Sequence, residues 1–136
     1  MSPSSILETV LYAEDLDAAE QFYTGILGLE KVARAGIRHL FLRCGEQMLL
    51  IFNPYETIKL PVRGALPVPP HGAIGSCHVC FRASSADIDH WRAKLTELDV
   101  IIDGDFEWPQ GGRSLYFRDP ASNSVEFAEP RIWGLS

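Results

Sequence analysis

The chain repeats its own pattern, and a repeat of this size restricts the available folds more than any other feature of the sequence. Each half opens with an apolar stretch that reads as a strand, residues 6–13 in the first and 76–83 in the second. A helix signal follows each. Asp15 stands as an N-cap with Glu14 beside it, and Ala18, Ala19, Phe22, Tyr23, Ile26 and Leu27 recur at helical spacing as far as Gly28, the expected C′ residue. In the second half Ser84-Ser85-Ala86-Asp87 has the form of a capping box, and Ile88, Trp91, Leu95 and Leu98 make the apolar stripe. Three short strands complete each half: 29–34, 39–44 and 47–53, then 100–102, 114–118 and 124–129. Cys44-Gly45-Glu46 and Asp119-Pro120-Ala121-Ser122-Asn123 are the turns before the last strands. The expected fold class is therefore α+β, with two tandem βαβββ modules.

At 136 residues the chain has the length of one domain, 1–136, with module 1 at about 5–54, a linker at about 55–73 and module 2 at about 74–130. The segment 54–73 carries Pro61, Pro67, Pro69 and Pro70 with Gly64 and Gly72, so we expect a loop, neither strand nor helix, long enough to be mobile or functional. A net charge of −6 without any Lys/Arg run argues against nucleic acid or an anionic membrane as partner. Neither a signal peptide nor an apolar run of the roughly 20 residues that span a bilayer is visible. Three cysteines cannot all pair within one chain, and together these features predict a reducing cytoplasm. Cys77 and Cys80 are three apart on an expected strand, hence on opposite faces, and read as small apolar residues of a buried strand and not as a redox or zinc pair.

The two halves align residue by residue. Glu8 falls on His78, the strand 39–43 on 114–118, and, with one gap in the turn, 49–54 on 125–130, which makes Leu50 the counterpart of Glu126. Glu8, His78 and Glu126 are each a polar residue inside an apolar strand, where an unpaired charge costs several kcal/mol. A two-fold repeat would bring positions 8, 50, 78 and 126 to one centre, and three of the four are able to ligate a metal. The other reading of each is a solvated outer-face residue, or a core His paired with a carboxylate.

The stretch E-T-V-L-Y-A-E-D-L-D-A-A-E-Q-F-Y from Glu8 to Tyr23 and the close S-L-Y-F-R-D-P-A-S-N-S-V-E-F-A-E from Ser114 to Glu129 resemble the glyoxalase/bleomycin-resistance/extradiol-dioxygenase superfamily, the vicinal-oxygen-chelate proteins. The resemblance covers nearly the whole chain. It implies a cupped, mixed β-sheet with flanking helices, commonly in a homodimer, and metal ligands at Glu8, His78 and Glu126, within one chain or shared between subunits. A homodimer is also expected because one pair of modules leaves strand edges and apolar surface open.

One His and two carboxylates depart from the two-His, one-carboxylate set of extradiol dioxygenases and suit one divalent ion per site, Mn, Ni or Zn before Fe. Such a site fits Lewis-acid work on a small oxygenated metabolite or thiol adduct: a glyoxalase-like lyase or isomerase. Typical members of the glyoxalase I type carry a fourth carboxylate where this chain has Leu50. The alternatives are a fosfomycin-type thiol transferase or epoxide hydrolase, whose first ligand is normally His, and a bleomycin-resistance-like protein that binds a drug or metabolite without metal. Tyr12, with Val10, shares the Glu8 face, and Ser114, Tyr116 and Arg118 share a face near Glu126. These residues, with Leu50 and Trp108 on the loop 107–113, are the expected substrate contacts. His71 is a candidate for the mouth of the site, while His90 is expected to be an exposed helix residue.

Overall fold

The computed structural model describes all residues from Met1 to Ser136, in two compact units, Met1–Gly75 and Ser76–Ser136. Each unit has one mixed four-stranded sheet and the same topology. In unit 1, β1 (Glu8–Tyr12), β2 (Glu30–Ala35), β3 (His39–Cys44) and β4 (Gln47–Phe52) lie in the order β1-β4-β3-β2. In unit 2, β5 (His78–Arg82), β6 (Ile102–Glu107), β7 (Arg113–Arg118) and β8 (Ser124–Ala128) lie in the order β5-β8-β7-β6. The first strand of each unit runs parallel to the last, and the other pairings are antiparallel.

The registers match as well. Glu8 pairs with Met48 and His78 with Ser124, so Leu50 and Glu126 each sit two residues beyond the partner of the first strand's opening residue. Phe41 lies opposite Leu50 just as Tyr116 lies opposite Glu126. Even the irregularity is shared, because the register shifts between Lys31 and Ala33 in β2 and between Ile102 and Gly104 in β6. A bulge at the same place in both modules is a designed bend.

Alternation gives each sheet two different faces. On one face of unit 1, Leu11, Leu40, Leu42, Leu49 and Ile51 are buried together with Leu16, Ala19, Phe22 and Tyr23 from the helical segment. On the corresponding face of unit 2, Val79, Leu115, Phe117, Val125 and Phe127 are buried with Ile88 and Leu95 of α3 (Ser85–Glu97), and Trp91 stacks on Phe127 with ring centroids 4.8 Å apart. Each fully buried aliphatic side chain contributes about 1.5–3 kcal/mol, so this face holds the fold together. The opposite face of each sheet carries the polar and aromatic side chains considered below.

Both expected helix starts are present. Asp15 Oδ1 accepts from the Ala18 N–H at 3.0 Å to start α1 (Leu16–Glu20), and Ser84 and Asp87 form a reciprocal capping box on α3. Gly28 takes the expected left-handed turn at φ 74°. Four expectations are corrected. After Glu20 the first helix widens into a π-helical turn, Gln21–Ile26, because the Thr24 hydroxyl occupies the Glu20 carbonyl at 2.6 Å and competes with the backbone ladder. The segment 54–73 opens with one helical turn, α2 (Pro54–Thr57), where Asn53 caps the Tyr55 N–H and proline occupies the first position. The strand expected at 100–102 is instead Ile102–Glu107, since Asp105 is held by Arg113 and Asp103 by Arg118 across the β6–β7 pair. Leu98 leaves the apolar stripe and is 47% exposed as the C-cap of α3. No helix is long and apolar enough to cross a membrane.

Candidate metal centre

In unit 2 the turn that precedes β8 acts as a clamp. Asp119 Oδ1 accepts from the Ala121 and Asn123 N–H groups at 3.0 and 2.8 Å, and Asn123 Nδ2 donates to Asp119 Oδ2 at 2.9 Å. Asn123 Oδ1 in turn accepts from the Cys77 N–H at 2.9 Å, and the Ser124 N–H donates to the Cys77 carbonyl at the same distance. The clamp fixes the start of β8 against the start of β5, and with it the side chains of His78 and Glu126.

Those two side chains meet: His78 Nε2 lies 3.2 Å from Glu126 Oε2. Glu126 is buried, with 5% of its surface exposed, while His78 is exposed. The other ends of both groups are already committed. His78 Nδ1 is 3.0 Å from the Ser124 carbonyl, which can only accept, so Nδ1 carries the proton. Glu126 Oε1 accepts from the fully buried Ser114 hydroxyl at 2.6 Å, and Ser114 Oγ accepts from Trp108 Nε1 at 2.8 Å. What remains is His78 Nε2 facing a carboxylate oxygen. A proton on Nε2 makes this contact an ion pair, and a metal cation between the two atoms would satisfy it equally. One imidazole nitrogen and one carboxylate oxygen, each oriented by a second hydrogen bond, are the donor chemistry of a divalent-metal site.

Tyr116, Phe106 and Trp108 wall this centre. Tyr116 stacks against Phe106 with centroids 5.8 Å apart and against His78 at 6.3 Å, and Phe106 meets Trp108 edge-on at 4.9 Å. Loss of hydration, with the Glu126 carboxylate beside it, pushes the Tyr116 phenol up to about 12. The group is therefore a hydrogen-bond donor at neutral pH. Trp108 is more than a packing anchor, since its indole N–H orients Ser114. Arg118 is directed elsewhere, to Asp103 at 2.8 Å and the Ser122 carbonyl at 3.1 Å.

Cys80 is the residue of this face that sequence reasoning missed. It is exposed, Cys77 is half-buried and both are free thiols, which corrects the expectation of a buried apolar pair. The cause is alternation: His78 and Cys80, two apart on β5, both take the face of Glu126, opposite which Cys80 lies in the ladder. Desolvation of the sulfur, with Glu126 beside it, pushes the Cys80 thiol up to about 12. The i, i+2 relation to His78 was the available signal.

The equivalent face of unit 1 is built from different side chains. Glu8 is exposed at the start of β1, and Leu50, at the position of Glu126, is buried with 7% exposure. Tyr12, two pairs of residues beyond Glu8, meets His71, with its hydroxyl 2.7 Å from Nδ1. His90 is exposed on α3 as expected. No group of three or more His, Cys, Asp or Glu side chains in the chain is arranged to hold a metal ion.

The model of the Glyoxalase/Bleomycin resistance protein/Dioxygenase superfamily matches residues 5–127. Among solved structures, a lactoylglutathione lyase from Agrobacterium tumefaciens is 44% identical with a TM-score of 0.94, over 99% of this chain and 100% of that one. A glyoxalase/bleomycin resistance protein/dioxygenase from Nocardioides is 22% identical with a TM-score of 0.71, over 95% and 85% of the two chains. A glyoxalase family protein from Bacillus anthracis is 17% identical with a TM-score of 0.70, over 95% and 97%. These last two show the fold alone. No curated protein matches the sequence. With the family model covering most of its length and the two βαβββ modules in register, the chain belongs to the Glyoxalase/Bleomycin resistance protein/Dioxygenase superfamily.

Proposed function

We propose that this chain is a divalent-metal-dependent, glyoxalase-like lyase or isomerase that acts on a small oxygenated metabolite or a thiol adduct. The observation that carries the reading is the meeting of His78 Nε2 with Glu126 Oε2, each side chain held by a second hydrogen bond. The 44% identical structure described as a lactoylglutathione lyase supports the reaction class. Glu8, the module 1 counterpart of His78, is the third ligand in this reading. One nitrogen and two carboxylates favour Mn, Ni or Zn over Fe. When bound, the ion supplies Lewis-acid polarisation of a substrate carbonyl or oxyanion.

The chain's own residues do the remaining work. Ser114 holds Glu126 Oε1, which orients the carboxylate with Oε2 toward His78. Trp108 holds the Ser114 hydroxyl so that its proton points to Glu126 and nowhere else. The Tyr116 phenol stays protonated and donates to a substrate oxygen, and Phe106 and Trp108 shield that contact from water. Leu50 offers no donor at the fourth equivalent position, which leaves coordination space to substrate, as an open catalytic site requires. The functional unit is a cytoplasmic homodimer, and sedimentation at micromolar concentration tests the dimer.

Elemental analysis of protein purified without chelator, followed by assay of the native-metal form, tests the function. We expect about one divalent ion per chain and ion-dependent isomerisation of the hemithioacetal that a 2-oxoaldehyde forms with a thiol. Metal-free protein that also fails to take up Mn, Ni, Zn or Fe contradicts it.

A further inference from the structure

The face of unit 1 that corresponds to the metal centre of unit 2 holds a cluster of a different kind. Phe52 lies at its middle. His39 stacks flat on Phe41 with centroids 4.1 Å apart and 4° between planes, and both meet Phe52 edge-on at 5.9 and 5.6 Å. His71, carried back by the proline-rich segment through its N–H bond to the Thr57 carbonyl at 3.0 Å, meets Phe52 at 4.6 Å and the Tyr12 hydroxyl at 2.7 Å. Arg38 lies over the Phe52 ring, 5.8 Å from its centroid, and its Nη1 donates to His39 Nδ1 at 2.7 Å.

Arg38 is the unusual member. Arg34, Arg43, Arg92, Arg113, Arg118 and Arg131 each hold a carboxylate. Arg38 is half-buried, yet it has no carboxylate partner, and its one side-chain hydrogen bond goes to a neutral ring. A guanidinium carries five N–H donors, and a partly desolvated cation without an anion is costly. The bond from Arg38 fixes the proton of His39 on Nε2, a further donor. Burial, reinforced by the Arg38 charge, holds the His39 imidazole below its ordinary range, so it stays neutral. The cluster thus presents donors and one positive charge beside aromatic rings, with no acidic group among its members.

We propose that Tyr12, Arg38, His39, Phe41, Phe52 and His71 form a binding site for a small planar carboxylate, its anionic end on Arg38 and His39 and its flat body against the aromatic rings. Charge-assisted bonds from a guanidinium and stacking on rings are both strong at partly desolvated positions. The site lies wholly in unit 1 and does not depend on the metal reading of unit 2.

Calorimetric titration of the full chain in EDTA, with benzoate and with benzamide as its uncharged isostere, tests the site. We expect benzoate to bind, benzamide to bind at least about tenfold more weakly, and Arg38→Gln with an unchanged melting temperature to weaken benzoate about tenfold. NMR of the unmodified protein reads the same contact without a variant, and benzoate should shift the ring resonances of both His39 and His71. Equal binding of benzamide, unchanged affinity in folded Arg38→Gln, undisturbed histidine rings, or binding that appears only when EDTA is replaced by a divalent ion would each overturn the proposal.

Discussion

The two modules share a backbone but not a chemistry. Strand order, register and the position of the bulge coincide, and on the helix-facing side Leu40 is matched by Leu115 and Leu42 by Phe117. On the opposite face the equivalent pairs are Glu8 and His78, Val10 and Cys80, His39 and Ser114, Phe41 and Tyr116, Leu50 and Glu126. None of these five positions is conserved between the halves. The fold requires only that one face of each sheet bury apolar side chains against a helix, so the other face was free to diverge. One copy gathered an imidazole and a carboxylate, and the other gathered aromatic rings around an unpaired guanidinium.

If the helix-facing sides are equivalent, damage to them should be equivalent. Leu40→Ala and Leu115→Ala each remove a side chain with no exposed surface. Each should cost about 2–5 kcal/mol, measured by denaturant unfolding. A large loss in one module with almost none in the other would break the comparison at its root.

The hairpins that bring β3 and β7 into place should differ. Gly112 has φ 92°, and a Cβ there would lie 2.4 Å from Ile132 Cγ2, whereas Gly36 has φ 47° and open space around it. Gly112→Ala should therefore cost about 2–4 kcal/mol, from left-handed strain plus the clash. Gly36→Ala should cost about 1–2 kcal/mol. Because Gly112 closes the turn that carries Trp108, whose backbone N–H donates to the Gly112 carbonyl at 2.8 Å, Gly112→Ala should also alter Trp108 fluorescence.

The smallest expected difference lies in the helix starts. Bonds from the Ser84 backbone N–H and hydroxyl hold the Asp87 carboxyl below its ordinary 3.8, and α1 has no such box. A depressed folded value means that Asp87 stabilises the fold fully above pH 3.8 and loses that contribution as pH falls through the lower folded value. Acid unfolding should show a small Asp87-dependent component that Asp87→Asn removes. Identical acid profiles for the two proteins would contradict this.

Much of the fold was readable in the sequence because local signals and repeat symmetry agreed. Asp15, Ser84 and Asp87 marked their helices, and the alignment gap in the turn made Leu50 the counterpart of Glu126, as the strand registers have it. What escaped was set by contacts distant in sequence or by competition within a helix. Asp103 and Asp105 made β6 look like a loop until Arg118 and Arg113 paired with them. The Thr24 hydroxyl widened a helix whose apolar spacing was regular. At the site, His78 and Glu126 stood out as polar residues in apolar strands, whereas the Trp108–Ser114–Glu126 chain and the Tyr12–His71 contact join residues that no local pattern connects.

In the function we propose, His78 and Glu126 of module 2 are the principal metal ligands, and module 1 contributes only Glu8. Calorimetric titration of chelator-stripped protein with Mn(II), alongside Glu126→Gln, tests it most directly. The substitution keeps the shape of the side chain and an acceptor for Ser114 but removes the charge. The unaltered protein should show one saturable site per chain, weakened by about 100-fold or more in Glu126→Gln. Equal affinity in the two proteins, or no saturable site in either, would contradict it.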